Sequence, residues 1–211
     1  MKTAGNKEIF ETLEEIVKPC HTVLVNWDLQ NGLVSNIFNK DQFVKNVKSI
    51  NDAARKSGMP IVYTKITPLP PRYMAASNIY TYMKRFGVTD ISKMPVFMKP
   101  GSVEAEIYSE FKPQEEDLVL NKNTASIFIG TNFDNMMKAA GIKTIIFAGI
   151  ATEIGVESSV RDSVNLGYYT VVASDSCSSH SKEGHEAALK SMSAVSMVLS
   201  TEEIISAFMA K

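Results

Sequence analysis

Six short runs rich in β-branched and apolar residues recur along the chain, with helix-patterned stretches between them, and this alternation leaves few folds open. The runs are Thr22–Trp27, Ile61–Lys65, Leu118–Asn121, Thr144–Gly149, Tyr168–Ser174 and Ser196–Leu199. Strands that alternate with helices build βαβ units around a parallel sheet. The run Thr144-Ile-Ile-Phe-Ala148 is apolar at nearly every position, as burial on both faces of such a sheet demands. The expectation is a three-layer α/β/α fold with a six-stranded parallel sheet.

Punctuation supports the helices. The stretches Gln42–Ser57, Phe133–Ala140 and Val156–Leu166 stop at Gly58, Gly141 and Gly167, and glycine after a helix suits a left-handed cap. Lys182–Met192 and Glu202–Met209 complete the set, the last opened by Ser200 or Thr201 as N-cap. Between Thr67 and Gly101 the pattern breaks: Pro68, Pro70, Pro71, Pro95 and Pro100 surround one helix expected over Ala75–Phe86. So long a connection acts either as a lid over a site or as a cover for a neighbouring subunit.

A chain of 211 residues has the length for a single domain spanning 1–211. With 22 Lys plus Arg against 23 Asp plus Glu, no broad field draws it to nucleic acid or to an anionic membrane. No window approaches the roughly 20 apolar residues of a membrane span. The two cysteines, Cys20 and Cys177, are too few for a disulfide framework, and the first residues lack the apolar core of a signal peptide. A cytoplasmic protein is expected.

Ligands of open parallel sheets bind beyond the carboxyl ends of the strands, so the polar residues there are the candidates. Asp28 closes the first apolar run, where partial desolvation would fit it for acid or base work; alternatively it caps the next turn. Lys122 follows the third run and would steady a carboxylate or a developing negative charge, or else is solvated surface. After the fourth run, Gly149-Ile-Ala-Thr-Glu-Ile-Gly155-Val156 passes directly into a helix, and amides in such a turn suit an anion. Arg72, Lys84 and Arg85 in the irregular region either meet an acidic substrate or form a solvated face.

The combination of Val23-Leu-Val-Asn-Trp-Asp28-Leu-Gln-Asn31, Asn121-Lys122 with Ser126-Ile-Phe128, and Gly149-Ile-Ala-Thr152 with Val156-Glu-Ser-Ser-Val-Arg161-Asp162 resembles the isochorismatase-like (cysteine hydrolase) superfamily from about residue 20 to about 200. The resemblance implies a sheet of order 3-2-1-4-5-6, a cis peptide bond between Ile150 and Ala151, and a homodimer or homotetramer. It also implies a catalytic Asp, Lys and Cys. Asp28 and Lys122 match the first two, but Gly155 stands at the cysteine position.

Thiol attack on an amide carbon therefore cannot run through Gly155. Family members with glycine there hydrolyse a vinyl ether, with the aspartate as general acid. This chain departs from them in having Ala151-Thr152-Glu153 where they show Tyr-Ala-His. The expected activity is hydrolysis of a small, anionic metabolite by Asp28 and Lys122, with the Gly155 N–H as an anion contact. It is either vinyl-ether hydrolysis or C–N hydrolysis by water; the alternative is a non-catalytic member that binds a ligand or serves in an assembly. Cys177 is read as packing. No cofactor is expected, and with only His21, His180 and His185 in the chain, no catalytic metal.

Overall fold

A computed structural model describes residues 2–210. An antiparallel hairpin, β1 (Lys2–Ala4) and β2 (Lys7–Ile9), precedes the runs anticipated above; it is exposed along its length and carries no apolar period that would announce it. The six expected strands follow as β3 (Thr22–Trp27), β4 (Ile61–Ile66), β5 (Leu118–Lys122), β6 (Thr144–Ile150), β7 (Tyr169–Ser178) and β8 (Met197–Leu199). They form one parallel sheet in the order β5-β4-β3-β6-β7-β8, which is 3-2-1-4-5-6 when the six are numbered by themselves.

Two short helices, α1 (Leu13–Ile16) and α2 (Asn31–Val34), precede and follow β3, and both faces of the sheet are covered. Leu24, Ile146 and Val171 pack with Phe43, Val47 and Ile50 of α3 (Lys40–Ser57) and with Ile204 and Phe208 of α8 (Thr201–Met209). On the opposite face Val23, Val25, Trp27, Ile145 and Phe147 meet Phe133 of α5 (Phe133–Ala139), Val160 of α6 (Glu157–Asn165) and Ala188 of α7 (Lys182–Met192). Every residue of β3 and β6 is buried, which is why their sequences do not alternate.

Two details differ from expectation, and a third agrees with it. The helix expected from Val156 starts only at Glu157, behind a wide π-helical turn, Thr152–Val156. β7 runs on to Ser178, because its pairing with β6 slips between Phe147 and Gly149; the Asp175 carboxylate there holds the Thr201 N–H and hydroxyl, pinning the start of α8. The irregular region does contain its helix, α4 (Ala76–Phe86), yet no residue from 65 to 97 is buried.

One side chain closes the neck of that excursion. Gln30, fully buried, donates from Nε2 to Ile66 O (3.1 Å) and Ala105 O (2.9 Å) and accepts the Ile66 N–H at 2.7 Å. It thereby ties the segment leaving β4 to the segment returning near Ile107, with which it forms an antiparallel bridge.

Candidate active site

Strand order reverses beside β3, between its two neighbours β4 and β6, and the crevice at the carboxyl ends there is where open sheets place a site. Asp28 leaves β3 with φ 46°, a left-handed conformation that aspartate tolerates better than most residues. That turn aims its carboxylate across the sheet. Thr64 of β4 donates its hydroxyl to Asp28 Oδ1 at 2.5 Å and accepts the Asp28 N–H at 2.9 Å. Lys122, the last residue of β5, donates from Nζ to Asp28 Oδ2 at 2.6 Å. The turn-capping and solvated-surface alternatives are thus not what these two residues do: Asp28 is 4% exposed and Lys122 2%.

Burial pushes the Asp28 carboxyl above its ordinary range, against the opposing pull of the Lys122 ammonium and the Thr64 hydroxyl. Burial likewise pushes the Lys122 ammonium below its usual value, against the pull of Asp28. Desolvation penalises both charges, so the proton between Nζ and Oδ2 is held less firmly by lysine than it would be in water. Such a pair is suited to proton transfer.

Position 155 is closed to any side chain. A Cβ built on Gly155 would lie 2.0 Å from Trp27 Nε1, 2.4 Å from Cε2 and 2.6 Å from Cζ2. Trp27 precedes Asp28, lies opposite Gly149 in the sheet, and is 1% exposed. Its indole also carries the Lys122 ammonium, whose Nζ sits 3.9 Å from the ring centroid. The Gly155 N–H, expected to be free for an anion, instead donates to Ala151 O at 3.1 Å. That expectation is corrected by the π-helical turn, which directs the amides of Ile154, Gly155 and Val156 onto one carbonyl. The Ile150–Ala151 peptide bond at the head of this turn is cis.

Among the described residues, none of the remaining candidates makes a hydrogen bond or ion pair with Asp28 or Lys122. Cys177 is fully buried, its thiol pushed up to about 12 by burial, and its Sγ contacts Phe147 O at 3.8 Å, in keeping with a packing role. Lys84 lies over the Tyr80 ring, and Arg72, Lys84 and Arg85 are all exposed. His185 is buried against Thr152, whose Oγ1 lies 2.8 Å from Nδ1. On α4, burial holds the Tyr82 phenol above the usual range against the opposing pull of Arg85, with a smaller contribution from the charge of Asp28. Thr64 and Trp27 were not singled out from the sequence. The usable signals were a hydroxyl in the register next to Asp28, and the one tryptophan of the chain facing a glycine where the resemblance implies a cysteine.

A parallel 3-2-1-4-5-6 sheet with a buried Asp–Lys pair at its switch point, beside a helix-opening turn, defines a class of three-layer α/β hydrolases. Residues 22–203 match the model of the isochorismatase domain, and the chain belongs to the isochorismatase family of hydrolases. It is 32% identical to the uncharacterized isochorismatase family protein YwoC of Bacillus subtilis, over 80% of this chain and 84% of that one. It is 30% identical to the ureidoacrylate amidohydrolase RutB of Rhizobium rhizogenes, over 75% and 71%. Among solved structures, a cysteine hydrolase from Pseudomonas syringae pv. phaseolicola superposes with TM-score 0.79 at 17% identity, covering 96% of this chain and 98% of the other. An isochorismatase family protein from Burkholderia thailandensis gives 0.73 at 25%, covering 90% and 96%.

Proposed function

We propose that this chain hydrolyses a C–N bond of a small anionic amide or ureido acid, with water rather than a thiol as nucleophile. The observation that carries this reading is the Asp28 carboxylate, gripped by Thr64 and Lys122, next to a position 155 at which no side chain fits. Asp28 takes a proton from water as its oxygen attacks the carbonyl carbon. The tetrahedral intermediate then collapses, and Asp28 returns the proton to the leaving nitrogen. Lys122 keeps the carboxylate charged at the moment of attack. The relatives named ureidoacrylate amidohydrolases favour this bond over the vinyl ether.

The experiment is a turnover assay with ureidoacrylate and isochorismate in parallel, each repeated with Asp28→Asn. C–N hydrolysis abolished in the variant supports the reading; pyruvate release from isochorismate would replace it with the ether chemistry. The pH profile separates the two independently. A base must be deprotonated, so kcat/KM for the amide rises with pH through the elevated Asp28 pKa, whereas an acid would make the rate fall there.

A second reading is favoured by the near-complete enclosure of Asp28 and Lys122: a member that binds a ligand without turning it over. Ureidoacrylate that binds, by calorimetry, but is recovered intact would establish it.

A further inference from the structure

Trp27 is the residue of this site that the Asp–Lys chemistry leaves without a task. It closes a strand of aliphatic and polar residues without another aromatic, Thr22-Val-Leu-Val-Asn, and is the only tryptophan in the chain. Its indole edge fills the volume into which a side chain at 155 would project. The ring also touches the chemistry, because the ammonium resting on its face at 3.9 Å is the one that donates to Asp28. A bulky residue at 27 and an empty position at 155 are therefore two halves of one packing solution: either could be changed alone only by opening a void or forcing a clash.

The orientation of the ring adds a chemical point. Nε1 is the atom nearest to the absent Cβ, and among the described residues it has no hydrogen-bond partner; nor does it belong to the fully enclosed polar atoms left unpaired. Indole N–H groups that are buried usually find an acceptor. Here an unpaired donor lies beside the position at which the resemblance implies a nucleophile, while the neighbouring Gly155 amide is committed to Ala151 O.

We propose that Trp27 is the specificity-determining residue of this site: it excludes any nucleophilic side chain from position 155 and presents its indole N–H there to an acceptor oxygen of the substrate, an amide carbonyl or a carboxylate. This rests on the reading that the Asp28 crevice binds a small anionic amide. A donor at this point holds the carbonyl oxygen while leaving the face of the carbon free for water, which is what a thiol-free hydrolase requires.

The exclusion is tested by cysteine chemistry in a Cys20→Ser background, which removes the exposed native thiol and leaves the buried Cys177 as an internal control. Gly155→Cys alone is compared with Trp27→Leu/Gly155→Cys, and alkylation of position 155 by iodoacetamide at pH 7 is followed by mass spectrometry. The double variant, relieved of the clash, should melt above the single one and label at least roughly tenfold faster. A single variant that melts with its parent and labels as fast as the double would overturn the exclusion.

The donor is tested by calorimetric titration with N-carbamoylglycine, a small ureido acid, against the native protein and Trp27→Phe, which keeps a ring and loses the N–H. Loss of one hydrogen bond should weaken binding about tenfold; equal affinity would overturn the donor role. If the native protein does not bind the probe while the thiol comparison comes out as expected, the ureido-acid reading falls and the displacement by Trp27 stands.

Discussion

At the carboxyl ends of the strands, Trp27, Asp28, Thr64 and Lys122 are at most 4% exposed, and each polar group but the indole N–H has a partner. In the excursion that follows β4, Tyr73, Tyr80 and Val96 keep 69%, 62% and 78% exposure, and α4 buries no residue. The first region is fixed by three strands whose register leaves each side chain one place to go. The second is held by a few ring contacts, such as Tyr82 and Phe86 against Phe97. Preorganisation of chemistry and freedom of access are thus assigned to different parts of the chain.

The sharpest way to break this contrast is to remove one member of the buried pair. Lys122→Met leaves Asp28 enclosed without its cation, and breaking such a pair costs about 3–5 kcal/mol; chemical denaturation should show a loss of that size. Because lysine loss also lets Asp28 stay protonated, the deficit should shrink at low pH.

Next in size is Gly155→Ala. One methyl meeting a buried indole is overpacking, worth about 1–3 kcal/mol, visible as a lower Tm by calorimetry; paired with Trp27→Leu the same methyl should be tolerated. An unchanged Tm for the single variant would mean that the indole moves freely, contrary to its 1% exposure.

A smaller effect is expected from His185. Burial holds its imidazole below the ordinary value, despite the charges of Glu153 and Glu186. The unfolded chain therefore takes up this proton first. The corresponding stability is complete above about pH 6.5 and is lost as pH falls from there towards the folded-state value. His185→Gln should flatten that part of the stability-versus-pH curve.

The smallest effect belongs to the excursion. Tyr80→Ala removes a ring already mostly in solvent, and its unfolding free energy should stay within about 0.5 kcal/mol of the native value. A large loss would show that the two regions are mechanically one.

The same division governs what could be seen in the sequence. The sheet was legible because β3 and β6 are buried on both faces and so carry unbroken apolar runs, and because Gly58, Gly141 and Gly167 mark helix ends with φ of 73°, 71° and 90°. Asp28 and Lys122 were legible as polar residues at strand ends, although their contact spans 94 positions of sequence. The π-helical turn at Thr152–Val156 was not, since its hydrogen bonds depend on backbone geometry rather than on residue type. The role of Trp27 was hidden for a related reason: its meaning lies in a volume shared with Gly155, and neither residue signals the other in a linear reading. The hairpin β1–β2 went unseen because it buries nothing.

Gln30 gives the excursion a further property. Its three bonds to Ile66 and Ala105 make residues 67–104 a cassette with a fixed socket. Once the ends of a loop are joined, each doubling of its length costs only about 0.6 kcal/mol. Segments of other lengths and sequences could therefore be exchanged on this scaffold, altering what is admitted to the crevice while the Asp–Lys pair beneath stays in register.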